Sequence, residues 1–294
     1  MTRTYGVDIA VPHRSVLGEG PVWDSNREAL VWVDILEGTV HLWSPIGPTA
    51  SFDAGTHVGA ALPASGGGWL LAAQDGFATM TDEGGLAPLL SVHGGGQPEL
   101  RFNDGKVDPA GRAWAGTTAY EESPGAGRLY RLDPGPTATP ILDGVGVSNG
   151  LGWSPDRRTF YYVDSLAQSL RAFDYDECEG TIRKERELVP FPSDLGYLDG
   201  LCVDDDGCIW VAIWDGGRVN RYMPNGALDS VVEVPVDRPT SCCFGPAGVL
   251  YITSARHGLS DEQLDRQPSA GAVFATEVAA TAPPATLWSG RSDS

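Results

Sequence analysis

Basic residues are scarce in this 294-residue chain, with 20 Lys and Arg against 39 Asp and Glu and a net charge of −19. Such a surface repels nucleic acid and anionic membranes, so neither is expected as a partner, and it favours cations near any acidic cleft. Cysteine is sparse too. Cys178, Cys202, Cys208, Cys242 and Cys243 are odd in number and form no C-x-x-C, which argues against a disulfide framework or a zinc site. Cys202 and Cys208 flank one turn, and reduced core thiols are the reading for them. The five histidines, at 13, 41, 57, 93 and 257, never fall at paired ligand spacing. No segment approaches 18 apolar residues, and "MTRTYGVDIAVPHRS" has no apolar core of signal-peptide length, so a soluble cytoplasmic protein is expected. Sustained 3.6-residue periodicity is also missing, which leaves an α/β arrangement without helices.

What the chain has is glycine and proline, 38 and 22 residues, spread along its length as turn formers are in all-β proteins. Six pieces align: "EGPVWDSNREALVWVDI" from Glu19, "AALPASGGGWLLAAQ" from Ala60, "NDGKVDPAGRAWAGT" from Asn103, "NGLGWSPDRRTFYYVDS" from Asn149, "DGLCVDDDGCIWVAI" from Asp199 and "TSCCFGPAGVLYITS" from Thr240. Each opens on a lead residue and a mostly apolar run. A turn follows at Asp24, Ser65, Asp108, Ser154, Asp204 or Gly245, then a strand rich in β-branched and aromatic residues. Third strands are readable as "TVHLWS", "FATMTD", "GRLYRLD", "SLRAFDYD", "GRVNRYMPNG" and "GAVFAT". Lead-to-lead intervals of 41, 43, 46, 50 and 41 residues predict an all-β six-bladed β-propeller of four-stranded antiparallel blades, one domain over residues 1–294. Either "YGVDIAV" or "ATLWSG" is expected to close the ring. The aromatics Trp32, Trp114, Tyr162, Trp210 and Tyr251 recur on second strands and read as inter-blade core.

Inner strands of a propeller line its channel, so the leads Glu19, Ala60, Asn103, Asn149, Asp199 and Thr240 should ring one mouth. For a single Asn or Asp, an Asx turn at the strand start would be the whole account. Four carboxylates or carboxamides at equivalent positions, Glu19 among them, instead suggest a desolvated oxygen cluster that a cation neutralises. All-oxygen ligation suits Ca²⁺, Mg²⁺ or Mn²⁺, with Zn²⁺ or Fe²⁺ as alternatives. Loops carrying Asp34, Gln74, Glu121, Glu122, Ser165, Asp215 and His257, together with Arg101, should form the rim. Such a site fits a small, oxygen-rich ligand.

The stretches "LGEGPVWD", "RFNDGKVDPAGRAWAGT", "SNGLGWSPD" and "LDGLCVDDDG" resemble the regucalcin/gluconolactonase family, the senescence-marker-protein-type lactonohydrolases, from about Arg14 to about Thr253. That resemblance implies a six-bladed propeller with one catalytic divalent metal and hydrolysis of sugar-acid lactones; it does not fix the metal, for which Ca²⁺ is the first expectation. By motif it implies Glu19, Asn149 and Asp199 as metal ligands, and Arg101, Asn103 and Glu121 as substrate contacts. Asp199 is expected to double as general base, with Glu121 in reserve. The expected partner is a sugar lactone, and the expected state a monomer or weak homo-oligomer. After Glu121 the segment "ESPGAGRLY" is short where relatives carry longer, lid-like loops, which leaves the ring size of the lactone open.

Two other functions are alternatives to this reading: a phosphotriesterase of the same propeller type, and a non-catalytic Ca²⁺-binding regulatory protein. A serine hydrolase could be assembled from "GVSNG" (Gly146–Gly150), "HGGG" (His93–Gly96) and His257, but the segment after Ser148 reads as strand and turn, not helix. "DDDG", Asp204–Gly207, lacks EF-hand spacing and reads as a turn.

Overall fold

The structure, a computed structural model, describes residues 2–93 and 99–290. Six antiparallel sheets follow one another along the chain, each ordered from an inner to an outer strand. The inner strands are Gly18–Asp24, Val58–Pro63, Leu100–Val107, Ser148–Trp153, Tyr197–Val203 and Pro239–Phe244. Each begins at or just before a predicted lead, and each packs against the inner strand of the next blade around a closed ring. This is the expected six-bladed propeller. Its helical content among the described residues is one short helix, Asp261–Arg266, stabilised by a Ser260–Gln263 capping box, plus 3₁₀ turns.

Ring closure uses the N-terminus. Asp8–Val11 is the outermost strand of blade six, antiparallel to Val273–Glu277. Arg3–Tyr5 adds a fifth, parallel strand to blade five against Leu228–Glu233. The other candidate, "ATLWSG", closes nothing. It straps the far end of the channel, where Trp288 N–H donates to the Pro63 carbonyl at 2.9 Å and Ser289 N–H to that of Gly111 at 3.0 Å. A sequence pattern cannot separate the two, because both are short apolar runs at a terminus.

The second strands are almost wholly buried, and their aromatics fill the wedges between blades as expected: Trp32 with Tyr251, Trp114 with Tyr162, Trp210 with the blade-six strands. Cys202 lies beside Cys242, Sγ to Sγ 3.5 Å, rather than beside Cys208. No helix among the described residues is long and apolar enough to cross a membrane.

One buried histidine makes the blade-one wedge acid-sensitive. His41 shares a hydrogen bond with Ser51 Oγ at 2.8 Å and stacks between Trp32 and His13. Burial first, then the charge of His13, push its pKa down to about 4, against a smaller opposing effect of Asp34. The unfolded chain therefore takes up a proton near pH 6.5 that the folded one refuses until about pH 4. Stability from this residue is present above pH 6.5 and is lost as pH falls through that window, by about 3 kcal/mol. His41→Gln should flatten the pH dependence of urea unfolding between pH 6.5 and 4. An unchanged slope would assign the acid loss to other groups.

Candidate active site

In every blade the pairing of first and second strands breaks register at the lead: Glu19/Val22, Val58/Ala60, Phe102/Asp104, Ser148/Leu151, Leu198/Leu201 and Pro239/Ser241. Bulges of this kind bend a strand and re-aim the side chain at the break. Glycine beside the lead lets the neighbouring inner strand approach. A Cβ on Gly150 would sit 2.6 Å from the Asp199 carbonyl oxygen, and one on Gly200 would sit 2.1 Å from Ser241 Oγ.

The structure gathers five of the six predicted site residues at one buried mouth. Glu19, Arg101, Asn103, Asn149 and Asp199 are each less than 9% exposed. A directed hydrogen-bond chain orders them. Arg101 Nη1 donates to Asn103 Oδ1 at 2.6 Å, and Asn103 Nδ2 donates to Asn149 Oδ1 at 2.9 Å and to the Ser148 carbonyl at 2.8 Å. Asn149 Nδ2 then donates to Ser165 Oγ at 2.8 Å, whose hydroxyl donates to the Leu198 carbonyl at 2.6 Å. Arg101 thus fixes the amide orientation of Asn103 and, through it, that of Asn149. Ala60 brings no donor, and Thr240 spends its hydroxyl on the Gly18 carbonyl and Thr253.

Opposite this chain, acid accumulates. The Glu19 and Asp199 carboxyl groups are near enough for the charge of Asp199 to act on Glu19. Burial, then the charge of Asp199 and Asp104, holds the Glu19 pKa well above the carboxylate range, and burial plus Asp104 does the same to Asp199. Asp104 itself is pushed up to about 6 by burial, against the opposing pull of Lys106 and of the Gly105 N–H. This third carboxylate was not anticipated, since strand alternation puts residue 104 on the face opposite Asn103. The bulge places both in the channel. Glu19 Oε2 accepts from Gly20 N–H at 2.8 Å, while Asp199 Oδ1 is buried with no hydrogen-bond partner among the described residues. Buried carboxylates without donors are costly unless a cation joins them. Glu19, Asn149 and Asp199 form an all-oxygen donor set of the kind hard divalent ions take. One of the three is an amide, and no group of three or more His, Cys, Asp or Glu side chains placed to hold a metal ion occurs among the described residues.

The rim differs from expectation at one turn. Glu121 is exposed and accepts from Ser123 Oγ at 2.7 Å. Glu122, at φ +50°, lies close enough to Arg101, His257 and Asp199 for its charge to register on all three. Tyr120 stands between, its ring 5.9 Å from the Arg101 guanidinium and its hydroxyl 2.5 Å from His57 Nδ1. Burial lowers the pKa of Arg101 and that of His57. Asp34 is not a rim ligand, because both its oxygens accept backbone N–H groups, from Val16 at 2.7 Å and Leu17 at 3.1 Å. Asp215 pairs with Arg238.

The serine-hydrolase alternative has no support here. Ser148 starts a buried strand and its Oγ accepts from Tyr162 at 2.7 Å, with no helix after it. Gly94–Gly96 of "HGGG" lie outside the described residues. Asp204 of "DDDG" caps its own hairpin, accepting from Asp206 and Cys208 N–H.

Residues 17–256 match the model of the SMP-30/Gluconolactonase/LRE-like region. Regucalcin of Danio rerio is 39% identical over 275 residues, 91% of this chain and 92% of that protein. Regucalcin of Gallus gallus is 40% identical over 267 residues, 88% of this chain and 89% of that protein. Among solved structures, a calcium-binding protein, regucalcin, of Agrobacterium tumefaciens superposes with a TM-score of 0.92 at 27% identity, covering 98% of this chain and 99% of that one. With a family match over most of its length and relatives near 40% identity, the chain belongs to the SMP-30/gluconolactonase/LRE-like family.

Proposed function

We propose that this protein is a metal-dependent hydrolase of sugar-acid lactones, opening the ring to the aldonic acid. The observation that carries the reading is the pairing of a partnerless, buried Asp199 Oδ1 and Glu19 with the ordered Arg101–Asn103–Asn149 chain at one mouth. Family membership and the calcium-binding relative support it. Glu19, Asn149 and Asp199 would hold one divalent cation, Ca²⁺ first, and it would supply Lewis acidity and charge neutralisation to the ester carbonyl.

The chain's own residues then have defined tasks. Arg101 and Asn103 hold ring hydroxyls, which fixes the lactone over the acidic face. Asp199 removes a proton from the attacking water as its oxygen bonds to the carbonyl carbon. Expulsion of the ring oxygen breaks the ester bond, and the proton returns to that oxygen as the new hydroxyl.

The test is a pH-indicator hydrolysis screen of glucono-, galactono-, xylono- and arabinono-lactones beside a phosphotriester, with metal-stripped and metal-reloaded protein and spontaneous opening subtracted. Hydrolysis of a lactone that depends on reloading is the expected result. No lactone opened under any metal would overturn the reading. Glu122→Gln is expected to raise KM about tenfold and Glu121→Gln less than about twofold, as follows if only the former faces the ligand. The reverse order would return the contact to Glu121.

A further inference from the structure

At the opposite end of the channel, beneath the hairpin turns, lies a second cavity of about 400 Å³. Its size falls in the range of ligand pockets. Its walls are largely apolar, with Trp23, Leu62, Trp153 and Phe244 contributed by four blades and Pro283 and Pro284 by the C-terminal strap, while Arg157 at its edge pairs with Glu177. The strap is fastened on both sides, by Asp205 N–H to the Thr281 carbonyl at 2.8 Å and Trp288 N–H to the Pro63 carbonyl at 2.9 Å, so the pocket is preformed.

Lys106 enters this apolar space from the inner strand of blade three. Among the described residues its ammonium makes one hydrogen bond, to the Leu201 carbonyl at 2.6 Å, and no ion pair within 4.0 Å. Lys106 is half-buried, and an ammonium has three N–H donors, of which this one spends one on the protein. Two of the three carboxylates of the wall are engaged elsewhere, and the third, Asp104, feels the Lys106 charge without an ion pair within 4.0 Å. Asp204 Oδ2 accepts from Trp210 and Arg221, Asp205 Oδ2 accepts from Thr281, and Asp104 Oδ1 accepts from Gly105 N–H deeper in the channel.

From this juxtaposition of an unpaired cation and an apolar cavity we infer that the far mouth binds an amphipathic monocarboxylate, its carboxylate on Lys106 and its tail against Trp23, Trp153 and Phe244. The site is separate from the lactone reading and does not rest on it.

Octanoate and octanol, matched in tail length, test it by isothermal titration and thermal shift on the full chain. Octanoate should bind and raise Tm, with octanol weaker by about tenfold or more. Lys106→Met should abolish the preference for the acid, and Leu62→Trp, which fills the cavity from its wall, should weaken both ligands. No octanoate binding, equal affinity for the alcohol, or an unaltered preference in Lys106→Met would each overturn the inference. The wild-type acid-to-alcohol comparison and Leu62→Trp decide the matter even if Lys106→Met does not fold.

Discussion

Asp199→Asn is expected to lower kcat for lactone opening by about 10²- to 10⁴-fold, the range a positioned general base supplies. The amide keeps the shape of the side chain and one ligating oxygen but cannot take a proton. Two further readouts separate this role from simple loss of a ligand. With reloaded metal at saturation the deficit should persist, because it lies in proton transfer and not in occupancy. In metal-free protein the variant should be more thermostable than the wild type. Glu19, Asp104 and Asp199 are three desolvated carboxyl groups; the charges of Asp199 and Asp104 raise the pKa of Glu19 and that of Asp104 raises the pKa of Asp199, so removing the Asp199 charge relieves repulsion on Glu19. A site built for chemistry at the expense of stability behaves in this way. Near-native kcat with metal bound would remove Asp199 from the base role. A lower Tm in the metal-free variant would contradict the electrostatic account of the mouth.

Most of the architecture was legible because it repeats. A lead residue, an apolar run, a turn and a second strand recur six times, and each inner strand starts where the alignment puts it. The site was legible for the same reason, since Glu19, Asn103, Asn149 and Asp199 stand at equivalent positions that the fold must bring to one mouth. What stayed hidden depends on register. A bulge cannot be read from one strand alone, because it is a mismatch between two, and so nothing in the sequence singles out Asp104 as a third acid of the site. Glu122 is legible as a rim residue beside Glu121, but which of the two turns inward depends on a positive φ that a non-glycine residue does not announce. Lys106 sat in the most conspicuous motif of the chain, but its environment is made by the strap of residues 282–286, which has no period to announce it.

Asp108→Ala should be among the most destabilising single changes outside the hydrophobic core, by about 3–5 kcal/mol, roughly 10 °C in Tm for a chain of this size. Asp108 is fully buried at the far turn of blade three. Oδ1 accepts from the N–H groups of Ala110 at 2.9 Å and Arg112 at 3.0 Å, closing the hairpin. Oδ2 accepts from Arg112 Nε at 2.7 Å, Trp114 Nε1 at 3.0 Å and the Tyr175 hydroxyl at 2.8 Å, tying blade three to blade four. Asp204 repeats the device in blade five with Trp210 and Arg221, so it is a structural solution and not an accident of one turn. Truncation to alanine leaves a buried guanidinium, an indole N–H and a phenol facing a small void. Most of the cost is the stranded charge, and that makes the argument testable within one set of variants. Asp108→Ala combined with Arg112→Met should be less destabilised than Asp108→Ala alone, because an apolar pair in place of a buried ion pair leaves no uncompensated charge. If the two substitutions instead add, measured by urea unfolding at neutral pH, the hairpin amides and the lost volume carry the effect and the ion pair contributes little.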